Sequence, residues 1–268
     1  MRSLDVRIEA ALGTFDETCR WDLIGGVLSE CPDEVLQVGL DLVRRNDARE
    51  RALGADILGR LVSVEPGSER HVLAALTEAL AGEDEDAPLA SVVAALGHAG
   101  DSAALELIFP LADHPSAEVR LAVAFALATL SPEPLGRDTR SALIRLCRDT
   151  EAEVRDWATF GLGTLSTADG PDVRDALLAR AEDSNLQARA EALFGLAVRR
   201  DPRAVPHLIR ALQSPHVGEL EVDAAAASGD PRLLPALWAL KYAGIADQLR
   251  LRRAIDRCSG TDRPPLPA

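Results

Sequence analysis

Aromatic residues are scarce in this chain: three Trp, one Tyr and five Phe make up 3% of its 268 residues. The apolar content is mostly Ala, Leu and Val with few β-branched runs, which favours helix over strand by intrinsic propensity. Uninterrupted apolar stretches of about 18 residues are missing, as is a basic, apolar leader, so neither a membrane span nor export is expected and the cytoplasm is the default. Cysteine is sparse too. Cys19, Cys31, Cys147 and Cys258 lie far apart, with no C-x-x-C and no His at zinc-finger spacing, which argues against a disulfide framework or a metal site and for reduced helix residues.

The common catalytic signatures are also absent. There is no G-x-x-x-x-G-K-[ST], no G-x-G-x-x-G after a strand, no H-E-x-x-H and no G-x-S-x-G. His71, His98, His114, His207 and His216 show no pairing at i, i+4. These gaps predict a protein that is not an enzyme and needs no cofactor. Basic charge is the last shortage, with 29 Lys and Arg against 43 Asp and Glu and a formal net charge of −14. A field of that sign repels phosphate backbones and anionic lipid heads, so the expected partner is another protein, a basic one, rather than nucleic acid or membrane. Nothing at either terminus demands self-association.

What is present is 47% hydrophobic residues, enough for a sizeable core, arranged as an internal repeat. "EVRLAVAFALATL" (118–130), "EVRDWATFGLGTL" (153–165) and "QARAEALFGLAVR" (187–199) align on Arg120, Arg155 and Arg189, giving periods of 35 and 34 residues. Weaker copies stand at "ERALGADILGRL" (50–61), anchored on Arg51, and "PLASVVAALGHAG" (88–100), where Leu89 takes the arginine position. A degenerate copy follows at "LEVDAAAASGD" (220–230). Each copy adjoins a second helical stretch such as "RDALLARA", "AVPHLIRAL" or "RLLPALWAL", so one repeat is a helix pair. "DPR" (201–203 and 230–232) and "GPD" (170–172) place a capping residue before Pro at the start of a helix. Asp113, Asp149 and Asp183 fall six or seven residues before the anchoring arginines and read as turn and cap chemistry. "VRRNDARER" (43–51) and "VRRDPR" (198–203) read as mixed-charge surface turns, and "GEDEDAP" (82–88) as a solvated acidic turn.

Over roughly residues 46–240 this pattern resembles HEAT repeats, especially the short bacterial kind of phycobilisome lyase subunits. The resemblance implies an all-α, armadillo-type, right-handed α-solenoid of helix pairs, with the arginine-bearing helix lining the concave side. Residues 1–45 are expected to cap the stack, 46–258 to form the repeats, and the Pro-rich 259–268 to be a flexible tail on one continuous domain. The run "EVRDWATFGLGTL" to "AAAASGDPRLLPAL" is also similar to HEAT-repeat proteins encoded beside Rhs polymorphic toxins, which are regarded as immunity proteins. A third likeness, in fold class, is to HEAT-like alkylpurine DNA glycosylases, whose clefts combine aromatic and acidic residues.

Counting from each anchoring arginine at about 100° per residue, positions −1, +3, +6, +7 and +10 share one apolar direction and should face the interior. Position +5 points roughly 145° away and carries Phe125, Phe160 and Phe194. Trp157 and Glu191 stand at +2, with Leu121 and Asp156 at +1. Leu121, Phe125, Asp156, Trp157, Phe160, Glu191 and Phe194 are therefore the candidate partner-binding groove, either open or closed by the phenylalanines as a second core. None of the groove positions in these three repeats is Lys or Arg, which disfavours a glycosylase. The expected function is protein binding without catalysis, as an immunity protein sequestering a basic toxin domain; the alternatives are the glycosylase and a lyase-subunit-like chaperone.

Overall fold

The structure, a computed structural model, describes residues 3–14, 16–131, 134–243 and 247–260. These residues form sixteen α-helices joined by turns and short 3-10 segments, with no strand among them. They divide into two compact units, residues 1–132 and 133–268. The first holds α1 (Ser3–Gly13), α2 (Glu17–Val27), α3 (Pro32–Leu42), α4 (Ala48–Val64), α5 (Glu69–Gly82), α6 (Asp86–Ala99), α7 (Leu105–Ile108) and α8 (Ala117–Leu130). The second holds α9 (Arg137–Leu146), α10 (Ala152–Phe160), α11 (Pro171–Arg180), α12 (Leu186–Val198), α13 (Ala204–Leu212), α14 (Glu219–Ser228), α15 (Leu234–Ala243) and α16 (Gln248–Ser259). Of the tail expected at 259–268, Ser259 and Gly260 close α16, and residues 261–268 lie outside the described residues.

The helices form HEAT-like helix pairs in a solenoid arrangement. In the first unit α4, α6 and α8 pack one on the next as an inner row, backed by α3, α5 and α7. In the second, α10, α12, α14 and α16 form the inner row and α9, α11, α13 and α15 the outer. The turn chemistry explains where the helices start. Asp47 accepts from the backbone N–H of Arg49 and Glu50 at 2.9 and 3.2 Å, and Asn185 from Gln187 and Ala188 at 2.9 and 3.1 Å. Gly170 and Pro171 open α11 as the sequence suggests.

The inward positions of the repeat are filled as helical geometry requires. Val119, Val154 and Ala188 at −1, Val123, Ala158 and Ala192 at +3, and Leu127, Leu162 and Leu196 at +7 are all buried. Ala126, Gly161 and Gly195 at +6 are buried as well. Position +10 is where the expectation fails: Leu130 is buried, but Leu165 is 43% exposed. The reason is a π turn over Gly161–Leu165, whose wider winding advances less per residue and rotates Leu165 out of the apolar direction. Glycine makes the tight crossing beyond it possible. A Cβ built on Gly195 would stand 2.6 Å from Gly163 Cα, so the backbones of two neighbouring inner helices touch there.

The anchoring arginines do more than mark the repeat. Arg155 Nη1 donates to the carbonyls of Asp149 and Thr150 at 3.0 and 2.9 Å, tying down the turn that precedes its own helix. Its Nε and Nη2 make a bidentate pair with Asp183 at 2.8 and 2.9 Å, in the turn of the next repeat. Arg51 repeats the device, with Nη1 on Arg45 and Asn46 carbonyls and the remaining nitrogens on Glu83 and Glu85. Arg120 Nη1 likewise binds the carbonyls of His114 and Pro115, each at 2.9 Å. The two turns read from sequence as mixed-charge surface thus hold structural arginines. In the second of them Arg199 donates to five backbone carbonyls, those of Leu162, Gly163, Ser166, Ala168 and Gly195, at 2.8 to 3.1 Å. These include carbonyls at the end of the π turn that the α-helical pattern leaves without donors.

The Arg155 guanidinium holds the Asp183 carboxyl down at about 2, against an ordinary 3.8. Asp183 is 6% exposed and also accepts from Arg180 and from the Asn185 backbone. Asp183→Ala is therefore expected to cost about 3 kcal/mol, read as a lowered urea midpoint, because it strands a largely buried guanidinium. In the parent protein the Asp183 contribution is complete above pH 4 and is lost as pH falls towards 2, and the variant should lack that part of the acid sensitivity.

Candidate functional site

The seven candidate residues fall into three surroundings. In the first unit, Leu121 and Phe125 are half-buried on α8. Phe125 leans across to α6, where its ring lies 4.8 Å from that of His98, tilted by 54°. Gly97 leaves the space for it, since a Cβ there would sit 2.8 Å from Phe125 Cε1. Phe125 is thus a packing residue between two inner helices. Nearby, the +5 counterpart Asp56 on α4 is buried and paired with Arg20 of α2, so an N-terminal helix covers that part of the inner row.

In the second unit, Trp157 and Phe160 sit on consecutive turns of α10 and meet edge to face, with ring centroids 5.7 Å apart and planes at 78°. Both are half-buried. Asp156 beside them is half-buried too, and its Oδ1 is sequestered from solvent with no hydrogen-bond partner. Across on α12, Glu191 is 4% exposed. It accepts from the Thr164 hydroxyl of the π turn and, at 2.9 Å, from Gln187 Nε2. Burial raises the Glu191 carboxyl above its ordinary range, against the lowering effect of those two donors. For Asp156, burial is again the main cause, joined by the charges of Glu191, Asp183 and Glu153, and it is pushed up to about 6. The arrangement is a poorly compensated Asp156 carboxyl near a second, hydrogen-bonded one and next to an aromatic edge, a combination that accepts a proton or a cation.

Phe194 is just under one turn of α12 beyond Trp157's counterpart Glu191 and lies in a different place. It lines an open cleft of about 660 Å³ with residues of α14 and α16 and with arginines that the groove reading did not contain. Sequence counting missed these arginines because they follow the last clear repeat, where the pattern has degenerated; the signal available was "VRR" at a helix end and "RLRRAIDR" in α16. Among the described residues no group of three or more His, Cys, Asp or Glu is placed to hold a metal ion, and no helix is long and apolar enough to cross a membrane. Cys147 and Cys258 are buried, and burial pushes each thiol up to about 11.

Comparison with known proteins agrees with this architecture. The family model for HEAT repeats matches residues 73–163 and 111–186, and that for the PBS lyase HEAT-like repeat matches 188–214. Among solved structures, the chain is similar to YibA of Escherichia coli, at 23% identity and a TM-score of 0.75, over 97% of this chain and 93% of that one. An engineered protein matches at 16% identity and a TM-score of 0.57, over 96% and 77%. The complex of CpcE and CpcF of phycocyanin lyase from Nostoc sp. PCC7120 matches at 18% identity and a TM-score of 0.53, over 82% and 93%. No curated protein matches in sequence. The chain is an all-α solenoid of HEAT-like helix pairs that matches the two repeat models over those residues.

The state of Asp156 has a measurable cost. Its folded pKa near 6 lies above the unfolded 3.8, so the folded protein binds the proton more tightly and loses stability as pH rises from about 4 to 6. Asp156→Asn is expected to raise the urea midpoint at pH 7.5 by the equivalent of about 1 kcal/mol, after allowance for partial solvent exposure. Below pH 4 that advantage should vanish.

Proposed function

We propose that this HEAT-repeat protein is a binding protein without catalysis of its own, which holds a client protein through the Asp156–Trp157–Phe160–Glu191 site. The observation that carries the reading is the sequestered Asp156 oxygen that lacks a donor beside the Trp157–Phe160 pair. A Lys or Arg side chain from the client supplies the charge that this site lacks: it pairs with the half-buried Asp156 carboxylate and lies over the neighbouring Trp157 ring. The net charge of −14 draws such a client in.

Of the narrower roles, a chaperone similar to a lyase subunit is favoured by the PBS lyase HEAT-like match over 188–214. In that role the protein presents a client polypeptide for modification by another component. Sequestration of a basic toxin domain uses the same site but has no support beyond the repeat pattern. The glycosylase reading is disfavoured because the charges acting on Asp156 are those of Glu191, Asp183 and Glu153, which repel a phosphate backbone.

The test is retention of client protein on the immobilised full chain. Trp157→Ala and Phe160→Asp are each expected to cost about 2 kcal/mol of binding, with helical circular dichroism unchanged. Retention by the parent protein should strengthen as pH rises from 5 to 7 and Asp156 ionises. A client held equally by both variants, or held more tightly at pH 5, contradicts the site. A coloured chromophore co-eluting with the client supports the lyase-like role, and rescue of cells from a toxin encoded next door supports sequestration instead.

A further inference from the structure

The cleft lined by Phe194 lies on the inner row of the second unit, where α12, α14 and α16 pack in succession. In a strongly acidic chain its lining is locally basic: Arg200, Arg250, Arg253 and Arg257 stand against Asp223 and Asp247. Arg250 is already engaged, by Asp223 and, at 3.0 Å, by Glu219. Among the described residues, Arg200 and Arg253 have no carboxylate within ion-pair distance. The walls are apolar and open to solvent, with Val198 45% and Leu249 75% exposed and Phe194 half-buried.

Arg200 is also in an unusual backbone state. With φ at 51° it is the single non-glycine residue among those described with a positive φ. It closes α12 in a Schellman turn, where its N–H donates to the Ala197 carbonyl at 2.9 Å and that of Asp201 to the Leu196 carbonyl at 3.0 Å. Glycine is the ordinary residue at that position, because a side chain in the left-handed region is disfavoured. The corresponding ends of α6 and α14 do carry glycine, Gly100 and Gly229. An arginine kept where glycine is easier, with its side chain in a cleft, is backbone strain placed at a candidate site.

We infer that this cleft is a second docking site, separate from the Asp156 site, and that it takes an acidic peptide segment carrying an apolar side chain. Carboxylates of the segment pair with Arg200 and Arg253, whose forked guanidinium groups suit bidentate contact. The apolar side chain lies against Phe194, Val198 and Leu249. Charge complementarity fixes the choice of occupant, since four arginines against two aspartates line this cleft in a chain whose net charge is −14.

The test is fluorescence anisotropy with the full chain and three labelled probes: a twelve-residue peptide repeating Glu-Leu-Asp, the same peptide with Ser for Leu, and a single-stranded RNA dodecamer. The leucine peptide should bind saturably, with affinity falling as salt rises. Arg253→Glu should weaken it by about tenfold or more. Arg200→Gly should weaken it comparably while raising Tm by about 2–4 °C, which separates loss of binding from loss of fold. Trp157→Ala should leave it unchanged, so this result stands apart from that of the proposed client site. No saturable binding, unaltered affinity in Arg253→Glu, or equal binding of the serine peptide or of RNA would overturn the proposal.

Discussion

An arginine bound both to its own turn and to the acid of the next, as Arg51 and Arg155 are, is the contact that ties one repeat to its neighbour. Arg155 and Arg51 each spend one terminal nitrogen on two carbonyls five and six residues upstream and turn the others to a carboxylate one repeat ahead. That geometry fixes the spacing. The acid must lie six residues before the next anchoring position, as Glu83 lies before Leu89 and Asp183 before Arg189. All but one of the 29 basic residues are arginine, and a planar fork with five donors is what such a staple needs. Lysine, a point charge on a flexible stem, cannot span two carbonyls and a carboxylate together.

The same constraint shows where the protein is not self-satisfied. Several acids in the turns are engaged by arginines or by backbone donors, and against that background two residues elsewhere stand out. Asp156 is held half-buried among like charges, and Arg200 holds a strained backbone at a helix end that glycine would fit better. Both cost stability and neither helps the packing of the repeats. They lie on the inner row of one unit but have opposite charge, so they suit different chemical features of a client.

Much of the fold was legible in the sequence, because burial at −1, +3, +6 and +7 depends only on helical periodicity and on small residues recurring at fixed intervals. The failures occur where periodicity is broken. Leu165 is exposed because the helix widens at Gly161, a change that no hydrophobic pattern announces. Phe125 turns out to fill the gap at Gly97, a contact between copies that counting within one copy cannot see. Arg199 reads as a surface charge beside a proline turn until the carbonyls around it are placed in space. Asp156, Trp157, Phe160 and Glu191 were visible as positions on a helical wheel. What the wheel could not supply was the desolvation that sets Asp156 apart from an ordinary surface acid.

The central claim is that Asp156 is kept poorly compensated in the free protein and receives its cation from a client. Its carboxyl resonance, followed by carbon-13 NMR across pH in the full chain, tests this directly. The account predicts titration near 6 in the free protein, shifted down when client is bound. Titration near the ordinary 3.8 in the free protein, or no shift on binding, would contradict it.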